Sequence, residues 1–202
     1  MSARNRIIGL ALSLAMVIGI SSDAMAKARI QDPRQFCDAG DQFMQQGRYL
    51  DAAQQYSKAL KIDKRNPKLY QARVAAELSA SKFKQASSDA TKAIKFAPDD
   101  PYSYELRSRA YDALKQYKKE IVDLNKLLSM NPNNGAYLLQ RAQTSIALKQ
   151  MNDVIQDCNK AITMGLDRNQ LGNLYKMRSI AYKKLGKKQE AQQENTKYQS
   201  LQ

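Results

Sequence analysis

Four arginines recur with an acidic residue sixteen positions later: Arg73 with Asp89, Arg107 with Asp123, Arg141 with Asp157 and Arg178 with Glu194. A guanidinium meets a carboxylate through two parallel hydrogen bonds, and a half-buried arginine needs such a partner. The spacing therefore predicts four ion pairs whose role is structural. A ligand held by these arginines is the rival reading. A second cationic group, Lys183, Lys184, Lys187 and Lys188, lies near the C-terminus, where residues 168–202 carry eight Lys or Arg against two acids. Two readings stand for this cluster: a solvated terminal face, or a contact surface for an anionic partner.

Other chemistry is thin. The chain of 202 residues has a net charge of +14 and no histidine. Missing histidine removes the commonest general base and metal ligand, which excludes Ser-His-Asp and Cys-His catalysis and His-ligated metal sites. The glycines are scattered singly, so there is no phosphate-cradling loop, and no EF-hand spacing occurs. A site of carboxylates alone is left open. The expectation is no enzyme, no metal and no cofactor. An apolar fraction of 43% supports a packed core.

The elements that position these residues emerge from the prolines. Pro33, Pro67 and Pro101 are 34 residues apart, and so are Pro98 and Pro132. On that period the units begin at Pro33, Pro67, Pro101 and Gly135, with a fifth near Gly172 after three extra residues around 166–171. Aromatics fall into columns. The fourth position holds Phe36, Tyr70, Tyr104, Leu138 and Tyr175. The eleventh holds Phe43, Tyr111 and Tyr182, broken by Glu77 and Ser145. Small residues recur at Ala52, Ala86 and Ala191, and at Ala59, Ala93 and Ala161. Each unit reads as two helices: Ala52, Tyr56, Ala59 and Leu60 make an amphipathic stripe, and the residue before Pro98 or Pro132 leaves the α region and stops the second helix. No segment shows sustained strand alternation.

The chain before the repeats has another character. Arg4 and Arg6 precede an apolar run from Ile7 to Ile20, and Ala24-Met25-Ala26 fits a small-x-small cleavage site. Residues 1–26 read as a secretory signal peptide cleaved after Ala26, since an apolar run of that length at about 1.5 Å per residue falls short of a bilayer core of about 30 Å. Residues 27–32 form a leader, and 33–202 the repeats. No later segment is apolar enough to span a membrane. A periplasmic or secreted location follows. Export directs the positive charge toward acidic proteins, anionic lipid head groups or acidic polymers. Nucleic acid is not expected, because no basic run carries interleaved aromatics.

The columns over residues 33–202 resemble the tetratricopeptide repeat family, most closely at Pro101–Asn134 and then in the first unit through Gly40, Phe43, Gly47, Tyr49, Ala52, Tyr56 and Ala59. The units are about 33–66, 67–100, 101–134, 135–168 and 172–202. The resemblance implies an all-α, right-handed solenoid of about five helix-turn-helix units. It also departs from the family: no unit has Trp at its fourth position, Glu120 stands where a small residue is usual, and Asn195 where an aromatic is usual. The polar last helix is either a solvated cap or a disordered tail.

The resemblance further implies a concave groove lined by first helices that takes a protein or peptide. Its expected lining is Arg34, Asp41 and Met44, then Lys68, Gln71 and Leu78, then Tyr102, Glu105 and Arg109, then Leu139, Gln143 and Ile146, with Lys176 and Lys183 beyond. The Lys/Asn clamp that some members use for a peptide carboxylate is not reproduced at Asp41 and Ala75. Cys37 and Cys158 stand in units one and four, too far apart for a bridge if units touch only neighbours. Cys158 is expected as a small buried hydrophobe, while Cys37 is open to intermolecular pairing.

Overall fold

A computed structural model describes residues 32–201, so the expected signal segment 1–26 and its cleavage site lie outside the described residues. Among the described residues there are ten helices and no strand. They form five pairs: α1 (Pro33–Gln45) with α2 (Tyr49–Ile62), α3 (Pro67–Ser79) with α4 (Phe83–Phe96), α5 (Pro101–Ala113) with α6 (Tyr117–Met130), α7 (Gly135–Ala147) with α8 (Met151–Ile162), and α9 (Arg168–Lys184) with α10 (Lys188–Gln199). The all-α solenoid expected from the 34-residue period is what the chain forms.

Local chemistry repeats with the same period. Every first helix opens on an Asp or Asn whose side chain accepts a backbone N–H of the first turn: Asp32 from Arg34, Asn66 from Lys68, Asp100 from Ser103, Asn134 from Tyr137 and Asp167 from Gln170. Pro33, Pro67 and Pro101 follow these caps at the first helical position, where a missing N–H costs nothing and φ is already suitable. Pro98 and Pro132 stand just beyond α4 and α6, as expected of helix stops.

Each unit turns through one left-handed residue. Gly47, Ser81, Lys115, Lys149 and Gly186 have φ of 72°, 57°, 55°, 60° and 76°. The next residue donates its N–H back across the turn, as in Arg48 to the Phe43 carbonyl at 2.9 Å and Gln116 to Tyr111 at 2.8 Å. This double closure satisfies the carbonyls orphaned at the end of the first helix.

The fifth unit starts earlier than the expected site near Gly172. The additional residues join α9 as an extra N-terminal turn beginning at Arg168, because Asp167 and Gln170 form a reciprocal capping box there. Arg168 Nε then reaches the Leu201 carbonyl at 2.8 Å, tying that turn to the chain end. The polar α10 is an ordered helix packed on α9, with the Tyr198 ring 3.7 Å from where a Cβ on Gly172 would lie. A disordered tail is therefore not what the described residues show.

Packing is sequential. Each helix packs on the next, and the first helices α3 with α5 and α7 with α9 also touch directly, so first helices form the tighter layer. Ala52, Ala59, Ala86, Ala93 and Ala161 are fully buried, which lets paired helices approach closely. At Gly40 the approach is closer still: a Cβ there would lie 2.5 Å from Tyr56 Cε1. Leu106, Leu124, Leu127, Leu138 and Leu174 are also fully buried, each contributing about 2 kcal/mol of transfer free energy. No unit encloses its own core; the largest cluster joins α6, α7, α8 and α9 through Leu128, Leu138, Val154, Cys158 and Leu174.

Candidate partner-binding surfaces

The four expected ion pairs are present. Arg107 donates from Nε and Nη2 to the two carboxylate oxygens of Asp123 at 2.9 and 2.6 Å, and Arg141 does the same to Asp157 at 2.9 and 2.6 Å. Arg73 pairs with Asp89, and Arg178 with Glu194. The acids are almost wholly buried. Burial raises the Asp123 carboxyl, against the lowering pull of Arg107's hydrogen bonds and charge.

The arginines have a third contact that the sequence reading did not include. Their Nη1 groups reach back to the preceding unit's second helix: Arg73 to Ser57 at 2.9 Å, Arg107 to Thr91 at 3.1 Å, Arg141 to Asn125 at 2.8 Å and Arg178 to Asn159 at 2.6 Å. Ser57, Thr91, Asn125 and Asn159 are themselves spaced by 34, so the signal was there to find. The guanidinium thus fastens three helices across a unit boundary. Tyr70, Tyr104 and Tyr175, one turn earlier, present their rings to these cations at 5.7, 5.7 and 5.6 Å. With Nε, Nη1 and Nη2 all engaged by neighbouring helices, the arginines serve as staples between units.

The expected groove residues divide into two groups. Arg34, Lys68, Tyr102, Arg109, Gln143 and Lys176 are exposed. Arg34 is paired with Asp32 at 3.1 Å, and Lys176 lies over the Tyr198 ring at 5.8 Å. Gln71 and Glu105 are engaged between units. Gln71 donates its side-chain amide to Asp100 and Ser103 of the next unit, and Glu105 accepts from the Tyr137 hydroxyl at 3.4 Å. Gln71 is therefore a joint residue, its amide already used. Asp41 accepts from Tyr56 at 2.6 Å, and Leu139 and Ile146 lean on the core.

One hollow joins a groove position to the lysine cluster. It has a volume of about 690 Å³ between the α7–α8 turn and the end of α9. Ile146, Met151, Ile180 and Leu185 give it apolar surface, and Lys149 and Lys184 stand on its rim. Ile180 and Leu185 are 36% and 39% exposed, high for such side chains. Lys183, Lys184, Lys187 and Lys188 are all exposed at the adjoining α9–α10 turn, and among the described residues none of them forms an ion pair. Ile180, Met151 and Leu185 were not anticipated: their apolar character reads as core until folding leaves it open.

One buried and one half-buried acid also stand out. Glu120 is 1% exposed; its Oε1 accepts from Gln140 at 3.0 Å, while Oε2 has no partner among the described residues. Burial raises its carboxyl above the ordinary range. Glu77 is likewise orphaned at Oε2, and burial, with Asp89 adding to it, pushes its carboxyl up to about 7. Neither lies in a cluster of ligands: among the described residues no three His, Cys, Asp or Glu side chains gather to hold a metal ion. No described helix is long and apolar enough to cross a membrane.

Repeated helix pairs, Schellman-type turns and small-residue columns define the class, and this chain is a tetratricopeptide repeat protein. Family models described as "TPR repeat" and "Tetratricopeptide repeat" match residues 40–73 and 101–134. Solved structures share the fold. MamA superposes with a TM-score of 0.77 at 16% identity, covering 84% of this chain and 91% of that one. YrrB, described as a TPR protein with an unusual peptide-binding site, gives 0.77 at 13% identity over 90% and 93%. MamA from Desulfovibrio magneticus RS-1 gives 0.75 at 14% over 84% and 94%. These identities show likeness of fold. A sequence search of curated proteins finds no match.

Proposed function

We propose that the chain is an exported, non-catalytic scaffold that binds a protein or peptide partner along the face of its first helices. The supporting observation is the hollow where Ile146 and Ile180 meet Lys184. Burying its exposed apolar side chains would contribute affinity at about 25 cal/mol per Å², and the lysine rim would speed encounter with an acidic partner. The peptide-binding site named for YrrB is in keeping with this use of the fold. Residues 1–26 direct the chain to the periplasm or out of the cell. The mature protein should then begin at Lys27, which N-terminal sequencing of the secreted form checks.

The binding test uses capture from envelope extract by the wild type and by Ile146→Glu, Arg109→Glu and Leu139→Ala. Loss of one discrete partner in the first two variants is expected. Equal capture by all three overturns the reading. A second reading rests on the unpaired lysines: attachment to anionic envelope components, either lipid head groups or acidic polymers, through the C-terminal end. Vesicles rich in phosphatidylglycerol should then retain the wild type at low salt and release the variant with Lys183, Lys184, Lys187 and Lys188 changed to Gln. No retention of the wild type removes this second reading.

A further inference from the structure

The nineteenth position of a unit falls in the first turn of its second helix. Units one, four and five place an acid there, Asp51, Asp153 and Glu190, and unit two places Gln85. An acid suits that turn, because the unpaired N–H groups at a helix start carry partial positive charge. Unit three breaks the column with Lys119 in the first turn of α6. Lys84 makes the same unfavourable placement in the first turn of α4. Among the described residues neither lysine has an ion-pair partner.

Both lysines line one open hollow of about 510 Å³ between α4 and the α5–α6 turn. Lys84, Ser88 and Lys92 stand at i, i+4 and i+8, so they form one row along α4, about 12 Å from end to end at 1.5 Å per residue. Lys119 joins them from α6, its Nζ 5.5 Å from the ring of Tyr111, which also lines the hollow. Ser88 and Gln116 add polar side chains that bond to no described residue. Lys92 does have a partner, Asp89 at 2.9 Å, but that acid is buried and already held by Arg73. Among the described residues no carboxylate lines this hollow. The hollow one joint further on carries Asp153 and Asp157, and the one beside it at Arg73 carries Glu77 and Asp89.

Cations gathered without a facing acid, two of them at helix starts that disfavour positive charge, oppose the local electrostatics of the fold. An anion seated among them removes that opposition. We propose that this hollow is a binding site for an oligophosphate, with linked phosphate groups laid along the row of Lys84, Ser88 and Lys92 and met by Lys119 from α6. The length of the row favours linked groups over a single one. The free anion and an organic diphosphate ester present the same chemistry to it. The site shares no residue with the hollow at Ile146 and Ile180, so it does not rest on the peptide-binding reading.

The probe is pyrophosphate, titrated into the intact protein at low salt by calorimetry, with amide chemical shifts to locate it. Saturable binding with shifts at Lys84, Ser88 and Lys119 is expected, tighter than for orthophosphate. Lys84→Gln combined with Lys119→Gln should weaken it about tenfold or more, since each lost ammonium takes a charge-assisted hydrogen bond with it. Lys119→Asp, which restores the acid of units one and four, should abolish it. Changing Lys183, Lys184, Lys187 and Lys188 to Gln removes more charge elsewhere and should leave these shifts in place. Adenosine diphosphate separates the sources: binding tighter than pyrophosphate assigns an esterified ligand, and weaker binding assigns the free anion. Absence of saturable binding by the wild type overturns the proposal. So does an equal loss in the C-terminal lysine variant, or orthophosphate binding as tightly as pyrophosphate.

Discussion

Arg141 donates from Nη1 to Asn125 Oδ1 at 2.8 Å across the boundary between the third and fourth units. The same guanidinium holds Asp157 within its own unit. Coupling between units in this solenoid therefore runs partly through a repeated polar staple as well as through apolar contact. Removing Arg141 leaves a buried carboxylate unpaired, so Arg141→Met should cost about 3 kcal/mol in urea unfolding. Asn125→Ala should cost about 1 kcal/mol, and the two changes should be non-additive. Strict additivity would mean that the 2.8 Å contact carries no coupling.

Glu77 should make stability depend on pH in a particular window. Burial raises its carboxyl to about 7, so folding disfavours the ionised form. The resulting penalty is absent below the unfolded value of about 4.3, grows as pH rises through it, and is complete above about 7. Glu77→Gln should accordingly stabilise the fold by about 1–2 kcal/mol at pH 8, after discounting for solvent at its open edge, and by little at pH 4. A difference between variant and wild type that does not change with pH would contradict this.

Lys115 occupies a left-handed turn at φ 55° that the first and fifth units give to Gly47 and Gly186. A side chain there costs about 1–2 kcal/mol, offset in part by glycine's greater freedom when unfolded. Lys115→Gly should therefore raise the unfolding free energy by about 0.5–1 kcal/mol. A Tm equal to or below that of the wild type would show that the turn is relaxed around lysine.

The two cysteines should differ in reactivity. Cys158 is fully buried, and burial pushes its thiol up to about 12, whereas Cys37 is only half-buried. A thiol reagent should modify Cys37 in the native protein and reach Cys158 only on unfolding. Equal rates at the two sites would refute the buried assignment. Any intermolecular disulfide should be lost in Cys37→Ser and kept in Cys158→Ala.

Much of the fold was legible because it is periodic. A helix pair repeated every 34 residues writes each local requirement several times: proline after a cap, a small residue where helices cross, an arginine with its acid. Repetition turned weak single-residue preferences into columns. The Arg–acid pairs were readable on the same ground, since both partners belong to one unit and keep one spacing. The early start of α9 was not, because its capping box at Asp167 and Gln170 occurs once and has no column to announce it.

The surfaces were less legible than the scaffold. Gln71 and Glu105 stand at positions that the family groove would expose, but their side chains meet Asp100, Ser103 and Tyr137 of the next unit. Those contacts depend on how neighbouring units rotate against one another. Residue order alone established the repeat, the class of fold, the absence of histidine chemistry and the weight of positive charge toward residue 202. The stacking of the units settled which donors each arginine directs across a boundary and which apolar residues stay open beside Lys184. Local propensity and spacing act within a unit, whereas exposure and empty space are set by the stacking of one unit on the next.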